Sequence, residues 1–336
     1  MAPRWLIVGA GSFGTTFAHV LRDVGVDVTL AARSAEQANS IRETRRNERY
    51  FPELELSEAL QVTTVDEAAE RVWDVVVLAV PTRSFHETLQ RFSAQAPIFL
   101  SLGKGLDPSG RRLSEVAGEI IRPDQFVVLS GPNIASEMIR DLPTAAVLAC
   151  VDMECATALQ QQISTKNFRL YTNSDVIGVE LAGASKNVVA IAAGVLEGAG
   201  MGDNAIAAMM TRGLGEMARL GLAYGAQLQT YLGLAGVGDL MVTCRSPHSR
   251  NHRAGRLLSQ GKRIADIREE IGQAVEGFRT APIVRDMARA KGIEMHICEA
   301  MGEIVEHDLS LQDVLRELMS RPPGSEFASA HEFSAD

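Results

Sequence analysis

Residues 9–14, Gly9-Ala10-Gly11-Ser12-Phe13-Gly14, restrict this chain more than any other stretch. They fit GxGxxG and stand between the apolar run Trp5-Leu6-Ile7-Val8 and a helical pattern over Thr15–Val24. A strand, a glycine turn and a helix in that order belong to a doubly wound sheet. A Cβ on Gly9, Gly11 or Gly14 would block the tight turn or the approach of a pyrophosphate. The helix then offers free N–H groups and a partial positive charge to an anion. This placement points to a dinucleotide.

The remainder of the first half supports the sheet. Trp5–Val8, Val26–Leu30, Asp74–Val80, Pro97–Leu102, Phe126–Ser130, Thr144–Leu148 and Phe168–Tyr171 read as strands. Several are continuously apolar, as strands covered on both faces should be. Helical spacing separates them, for example over Ser84–Gln95. Beyond Asp175 the strand-like runs stop, and Ala, Leu, Met and Gly recur at helical spacing. Val176–Leu196, Asn204–Leu222 and Ala226–Tyr231 are the first helices expected there, with more to about Leu318. Small residues in Leu181-Ala182-Gly183-Ala184 and Ile191-Ala192-Ala193-Gly194 should let helices approach closely. The expected fold is α/β: an N-terminal Rossmann-like doubly wound sheet over residues 1–174, then an all-helical substrate and catalytic domain over 175–320. Residues 321–336 are expected to be a flexible tail.

A net charge of −9 argues against nucleic acid as the main partner but leaves room for local basic pockets. The four cysteines form no CxxC pair and no zinc spacing, which suits reduced thiols. No apolar run reaches the ~18 residues of a membrane span. The chain passes from Met1 directly into a strand without a basic leader, so a cytoplasmic location is expected.

The second strand runs Val28-Thr29-Leu30-Ala31-Ala32 into Arg33, with no acid before Glu36. An acid at that point would bind a ribose 2′-hydroxyl and repel a 2′-phosphate, whereas Arg33 can pair with the phosphate. NADPH is therefore the expected cofactor, with NADH tolerated. The alternative for Arg33 is an exposed loop arginine.

Three further groups carry candidate chemistry. Lys104 lies between Gly103 and Gly105 just past a strand, where it would hold an anion or a carbonyl oxygen, or else be a solvated turn lysine. Ser130-Gly131-Pro132-Asn133 follows another strand, with Asn133 a candidate N-cap for a helix towards Ile139, or ordinary turn chemistry. Lys186-Asn187 falls inside an apolar helix with no acid at Ala182, Gly183 or Ala190 to pair with the lysine. A partly desolvated lysine has a lowered pKa suited to proton exchange with a substrate hydroxyl; the alternative is a snorkelling surface lysine. Asp239 offers a carboxylate in a turn, and Ser249-Arg250-Asn251 lies among Arg245, Arg253 and Arg256. Such arginines suit a phosphate-bearing substrate, or the basic face of an amphipathic helix.

These pieces occur in an order that resembles the bacterial-type NAD(P)-dependent glycerol-3-phosphate dehydrogenases. The matching text is VGAGSFGT, SLGKGL, LSGPNIASE, IGVELAGASKNVVAIAAGV, TRGLGEMARLG, LAGVGDLMVTC, SRN and VEGFRT, from about Leu6 to about Met301. The resemblance implies reversible hydride transfer between NAD(P)H and dihydroxyacetone phosphate, giving sn-glycerol 3-phosphate for phospholipid synthesis. It puts Lys186 at the proton donor and acceptor, and Lys104 at a lysine shared by substrate and cofactor. Asp239 and Asn187 fall beside the reacting carbon, Ser249, Arg250 and Asn251 at the substrate phosphate, with Arg250 also near the cofactor. Gly131 and Asn133 match further substrate contacts, while Ser12, Phe13, Arg33, Ala135, Ala274 and Glu276 match cofactor contacts. The family often has Val where Ser185 stands and Thr where Asn133 stands.

A related two-domain β-hydroxy-acid or ketopantoate-type reductase would share the fold and a helix lysine without needing Ser249-Arg250-Asn251. A dinucleotide sensor would leave the proton-transfer position empty, which Lys186 fills. The glycine-rich helices of the second half suit a homodimer.

Overall fold

The computed structural model describes residues 2–307. The expected tail at 321–336 and the last helix towards Leu318 lie outside the described residues. The described chain divides into two compact units, one of residues 2–103 with 113–176, the other of residues 104–112 with 177–307.

The first unit holds one eight-stranded sheet: β1 (Arg4–Val8), β2 (Asp27–Ala32), β3 (Gln61–Thr64), β4 (Val75–Leu78), β5 (Ile98–Ser101), β6 (Phe126–Ser130), β7 (Thr144–Ala149) and β8 (Phe168–Asn173). Their order is β3-β2-β1-β4-β5-β6-β7-β8. All neighbours are parallel except β6 and β7. The expected doubly wound sheet is therefore present. β3 is an addition that the apolar pattern did not reveal. It is a four-residue edge strand, Gln-Val-Thr-Thr, too short and too polar to stand out.

Seven helices accompany the sheet: α1 (Ser12–Val20), α2 (Ala35–Thr44), α3 (Val65–Ala69), α4 (Phe85–Phe92), α5 (Leu113–Gly118), α6 (Ala135–Met138) and α7 (Met153–Ile163). Three of their starts are fixed by side chains. Ser34 caps α2, Thr64 and Glu67 form a capping box on α3, and Asp152 caps α7. One core cluster includes Trp5, Ile7, Phe17, Leu30, Val77, Leu129 and Phe168, and further buried apolar side chains such as Leu6, Val76, Phe85, Phe92 and Phe99 lie outside it. Each such side chain contributes about 1.5–3 kcal/mol on leaving water.

The second unit contains α8 (Val176–Gly198), α9 (Gly202–Ala223), α10 (Leu228–Leu232), α11 (Asp239–Arg245), α12 (Arg250–Ser259), α13 (Ile264–Ile271), α14 (Gly277–Ala290) and α15 (His296–His307). Among its described residues there is no strand. α8 is long and apolar enough to cross a bilayer by length and composition, although Glu180 and Lys186 interrupt its apolar runs. In the structure 94% of its most apolar window is buried, which makes it the central core helix of this unit.

Close backbone approach sets how α12 meets α8. A Cβ at Gly194 would fall 2.0 Å from the carbonyl oxygen of His252, and one at Gly255 would fall 2.0 Å from that of Ile191. The expected small-residue contact on α8 is realised here, two glycines from opposite helices interlocking. This contact sets the first two turns of α12 against the C-terminal half of α8.

Candidate active site

In the sheet unit, the strand order reverses direction at β1 and β4, the position where doubly wound sheets bind ligands outside their carboxyl ends. Gly9 follows β1 with φ +115°, and a Cβ there would lie 2.5 Å from the carbonyl oxygen of Ala79, just past β4. A Cβ on Gly14 would come within 2.0 Å of the carbonyl oxygen of Gly9. Gly11 differs. Its Cβ position has nothing within 4 Å, and as N-cap of α1 it supplies no side-chain bond. The first N–H groups of α1, those of Ser12, Phe13 and Gly14, thus begin a helix without a side-chain cap. A helix start left open this way suits a pyrophosphate, so the residues present fit a dinucleotide.

Two residues unremarked in the sequence hold this turn. Asn47, 2% exposed, donates to Ala10 O at 3.0 Å and to Thr15 Oγ1 at 2.8 Å. Gln37 donates to Ala10 O at 2.9 Å. Only their distant approach to the turn gives them a role, and no local pattern announces it. Arg33 is exposed directly after β2, and no ion pair engages it among the described residues.

Gly131 follows β6 with φ +128°. Asn133 is not an N-cap: α6 starts at Ala135 with Ile134 before it, and the Asn133 amide donates to Ala145 O at 3.3 Å. Its side chain is drawn to the neighbouring strand β7, which the one-dimensional cap pattern does not contain. Ala135, the first residue of α6, accepts from Thr16 Oγ1 at 3.3 Å through its carbonyl.

In the helical unit, two candidate lysines converge on the carboxylate of a third candidate, Asp239. Asp239 is 1% exposed at the first turn of α11, just after a π-helical turn over Leu234–Gly238. Such turns recur at functional sites. Lys186 donates to Asp239 Oδ1 at 2.8 Å, and Lys104 donates to Oδ2 at 2.8 Å. The acid missing from the Lys186 face of α8 therefore arrives from α11. Lys186 also donates to Thr243 Oγ1 at 2.7 Å, and Thr243 donates to the Asp239 carbonyl at 2.6 Å. Thr243 was not among the candidates, although it lies one helical turn beyond Asp239.

The electrostatics follow from burial. Burial, offset in part by Asp239 and reinforced by Lys186, lowers Lys104 to about 8. Burial disfavours the Asp239 charge, but Lys104 and Lys186 outweigh it and hold the carboxyl below its ordinary range. Two lysines share one carboxylate, so a single negative charge serves both.

Asn187 and Asn251 lie beside this cluster, both buried. Ser249 caps α12 by accepting from His252 N at 3.2 Å, and the neighbouring Arg250 is exposed at that helix start. The surrounding arginines are divided by the fold. Arg245 pairs with Asp203 at 3.0 Å and Arg253 with Glu270 at 3.5 Å. Ala274 is exposed before α14, and Glu276 is the half-buried N-cap of that helix.

A doubly wound sheet whose glycine turn fits a dinucleotide, followed by helices that hold two lysines on one buried carboxylate, defines a dinucleotide-binding protein with a separate charged site. Family models for the NAD-dependent glycerol-3-phosphate dehydrogenase N-terminus and C-terminus match residues 6–156 and 175–316. The chain is 44% identical over 322 residues to a glycerol-3-phosphate dehydrogenase (NAD(P)+) of Geobacillus thermodenitrificans, covering 94% of each chain. The crystal structure of glycerol-3-phosphate dehydrogenase from Coxiella burnetii superposes with a TM-score of 0.90 at 35% identity, over 95% of this chain and 99% of that one. A ketopantoate reductase structure from Ralstonia eutropha reaches a TM-score of 0.57 at 14% identity over 94% of this chain and 99% of that one, a likeness of fold alone. This chain belongs to the NAD-dependent glycerol-3-phosphate dehydrogenase family.

Proposed function

We propose that this protein interconverts dihydroxyacetone phosphate and sn-glycerol 3-phosphate, using NAD(P)H, with Lys186 as proton donor and acceptor. The buried Lys186–Asp239–Lys104 cluster carries this proposal. NAD(P)H, bound, supplies the hydride for ketone reduction. Lys186 Nζ gives a proton to the forming alkoxide and takes one back in the reverse direction. Asp239 anchors both ammonium groups, and Lys104 adds the positive charge that stabilises the developing oxyanion. Thr243 fixes Lys186 through its hydroxyl oxygen.

Arg250, at the start of α12, binds the substrate phosphate, a doubly charged group suited to guanidinium and to a helix N-terminus. Ser249 supports that turn as its cap, and binding energy at the phosphate is spent on orienting the ketone. Gly131 and Asn133 add substrate contacts. The cofactor is met by Gly9, Gly11, Ser12, Phe13, Gly14, Ala135, Lys104, Arg250, Ala274 and Glu276, with Arg33 on a ribose 2′-phosphate. The sheet unit thus serves mainly the cofactor, and the helical unit, which takes in residues 104–112 from the expected first domain, serves mainly the substrate. The apolar helix α8 serves as a core element, in keeping with a cytoplasmic homodimer that supplies glycerol phosphate for phospholipid synthesis.

The test is nicotinamide absorbance with dihydroxyacetone phosphate, using NADPH and NADH in parallel. Rapid oxidation is expected, with NADPH preferred and the preference reduced in Arg33→Ala. Cofactor binding without oxidation would reject the substrate assignment and favour a hydroxy-acid or ketopantoate-type reductase.

A further inference from the structure

Asn187 and Asn251 are 4% and 8% exposed, and their amides are bonded in series. The Gly277 N–H donates to Asn251 Oδ1 at 3.0 Å. Asn251 Nδ2 donates to Asn187 Oδ1 at 2.8 Å. Asn187 Nδ2 donates to the Lys104 carbonyl at 3.0 Å and to that of Gly183 at 3.2 Å. The series joins the first turn of α14, the first turn of α12, the middle of α8 and the Lys104 segment. A side chain at position 277 would obstruct it, since a Cβ there falls 2.7 Å from the Asn187 carbonyl and 3.0 Å from Asn251 Oδ1.

The direction of the series is fixed at both ends. A backbone N–H at Gly277 can only donate, and a backbone carbonyl at Lys104 can only accept. Rotating either amide by half a turn would set N–H against N–H or oxygen against oxygen. Both asparagines are therefore held in one orientation, and neither aspartate nor a shorter residue reproduces both roles.

We infer that Asn187 and Asn251 form a positioning relay that fixes the Lys104 backbone, so that its ammonium meets Asp239 opposite Lys186. This role rests on the reaction proposed above and assigns the two residues a task different from holding the substrate phosphate. It accounts for a lysine on an irregular segment being delivered to the same carboxylate as a lysine inside a rigid helix. An error of about 1 Å in placing a catalytic group costs about 100-fold in rate, so a relay of this kind acts on turnover.

The experiment is a double-mutant cycle with Asn187→Ala and Asn251→Ala. Each single variant should lower kcat about 100-fold with little change in KM. The loss should be equal for dihydroxyacetone phosphate and for unphosphorylated dihydroxyacetone. The double variant should lose no more than the worse single one, because both break the same series. Losses that multiply, or a loss confined to the phosphorylated substrate as a rise in KM, would overturn the relay and make Asn251 a phosphate ligand. Asn251→Asp is the second variant if alanine prevents folding. It keeps the shape and the acceptor for Gly277 but sets oxygen against Asn187 Oδ1, and the same kcat loss is expected. Wild-type turnover is measured first, and its absence defeats the proposed reaction alone. The cycle is then read from unfolding free energies, where independent effects of the two substitutions would still reject the relay.

Discussion

The sheet unit assembles its candidate site from backbone, and the helical unit assembles its own from buried side chains. At Gly9–Gly14 the groups facing a ligand are main-chain N–H donors at the start of α1, and side chains matter mainly by their absence. At Asp239 the groups are two ammonium ions and a carboxylate, with Lys104 lying 135 residues away in sequence and Lys186 lying 53 away. A backbone site is encoded within about one strand and one helix and tolerates many surrounding sequences. A side-chain site depends on distant segments reaching one point, and each charge in it requires its partner. The first kind should fail by steric intrusion, the second by loss of charge balance.

Substitutions separate these modes. Lys186→Ala should have the largest effect, lowering kcat by up to about 10⁴-fold while the Kd for cofactor stays near the wild-type value. Steady-state turnover together with fluorescence titration of the cofactor checks both halves. Retained turnover would remove Lys186 from the chemistry. Asp239→Asn should come next, leaving buried Lys186 and partly buried Lys104 without a countercharge and destabilising the protein by about 3–5 kcal/mol. Urea denaturation measures it, and an unchanged midpoint would mean that the cluster is not buried as described. In the sheet unit, Gly14→Ala should cost about 1–3 kcal/mol through overpacking against the Gly9 carbonyl. Its signature is the reverse of the lysine's: weaker cofactor binding with the Lys186 cluster intact. A variant that binds cofactor normally would break the comparison on the backbone side.

The smallest effect concerns Glu216, 3% exposed on α9, which accepts from Ile297 N and Cys298 N at the start of α15. Burial, opposed by those N–H groups, raises its pKa from 4.5 to about 7. The folded state therefore binds more protons than the unfolded state between those values. Stability from this group is complete below pH 4.5 and is lost as pH rises through about 7. Chemical denaturation at pH 5 and pH 8 should show that decline, on the order of 2 kcal/mol, and Glu216→Gln should flatten it. A slope that persists in the variant assigns the pH dependence to other groups.

Much of the sheet unit was legible because its determinants are local. Apolar runs gave the strands from β1 to β8 except β3, and the glycine spacing gave the turn at the reversal of strand order. Asn133 shows the limit of local patterns: its amide bonds to Ala145 on the adjacent strand, and the expected cap is absent. In the helical unit, the isolated position of Lys186 in an apolar helix marked it as unusual, and the resemblance to a family named its role. Neither could say where its counterion came from, nor that Thr243 would complete its bonding.

The sequence by itself determined the alternation of elements, the glycine turn and the presence of lysines that an apolar helix and a glycine-flanked segment would leave without local partners. These follow from periodicity and sterics acting over a few residues. Only the tertiary structure decided that Lys104 and Lys186 meet on one aspartate. It also decided that Arg245 and Arg253 are taken up by acids, and that Asn47, Gln37, Asn187 and Asn251 brace the groups around them. Hydrogen bonds and ion pairs form between atoms a few ångströms apart in space, and folding brings together residues whose separation along the chain carries no trace of that distance.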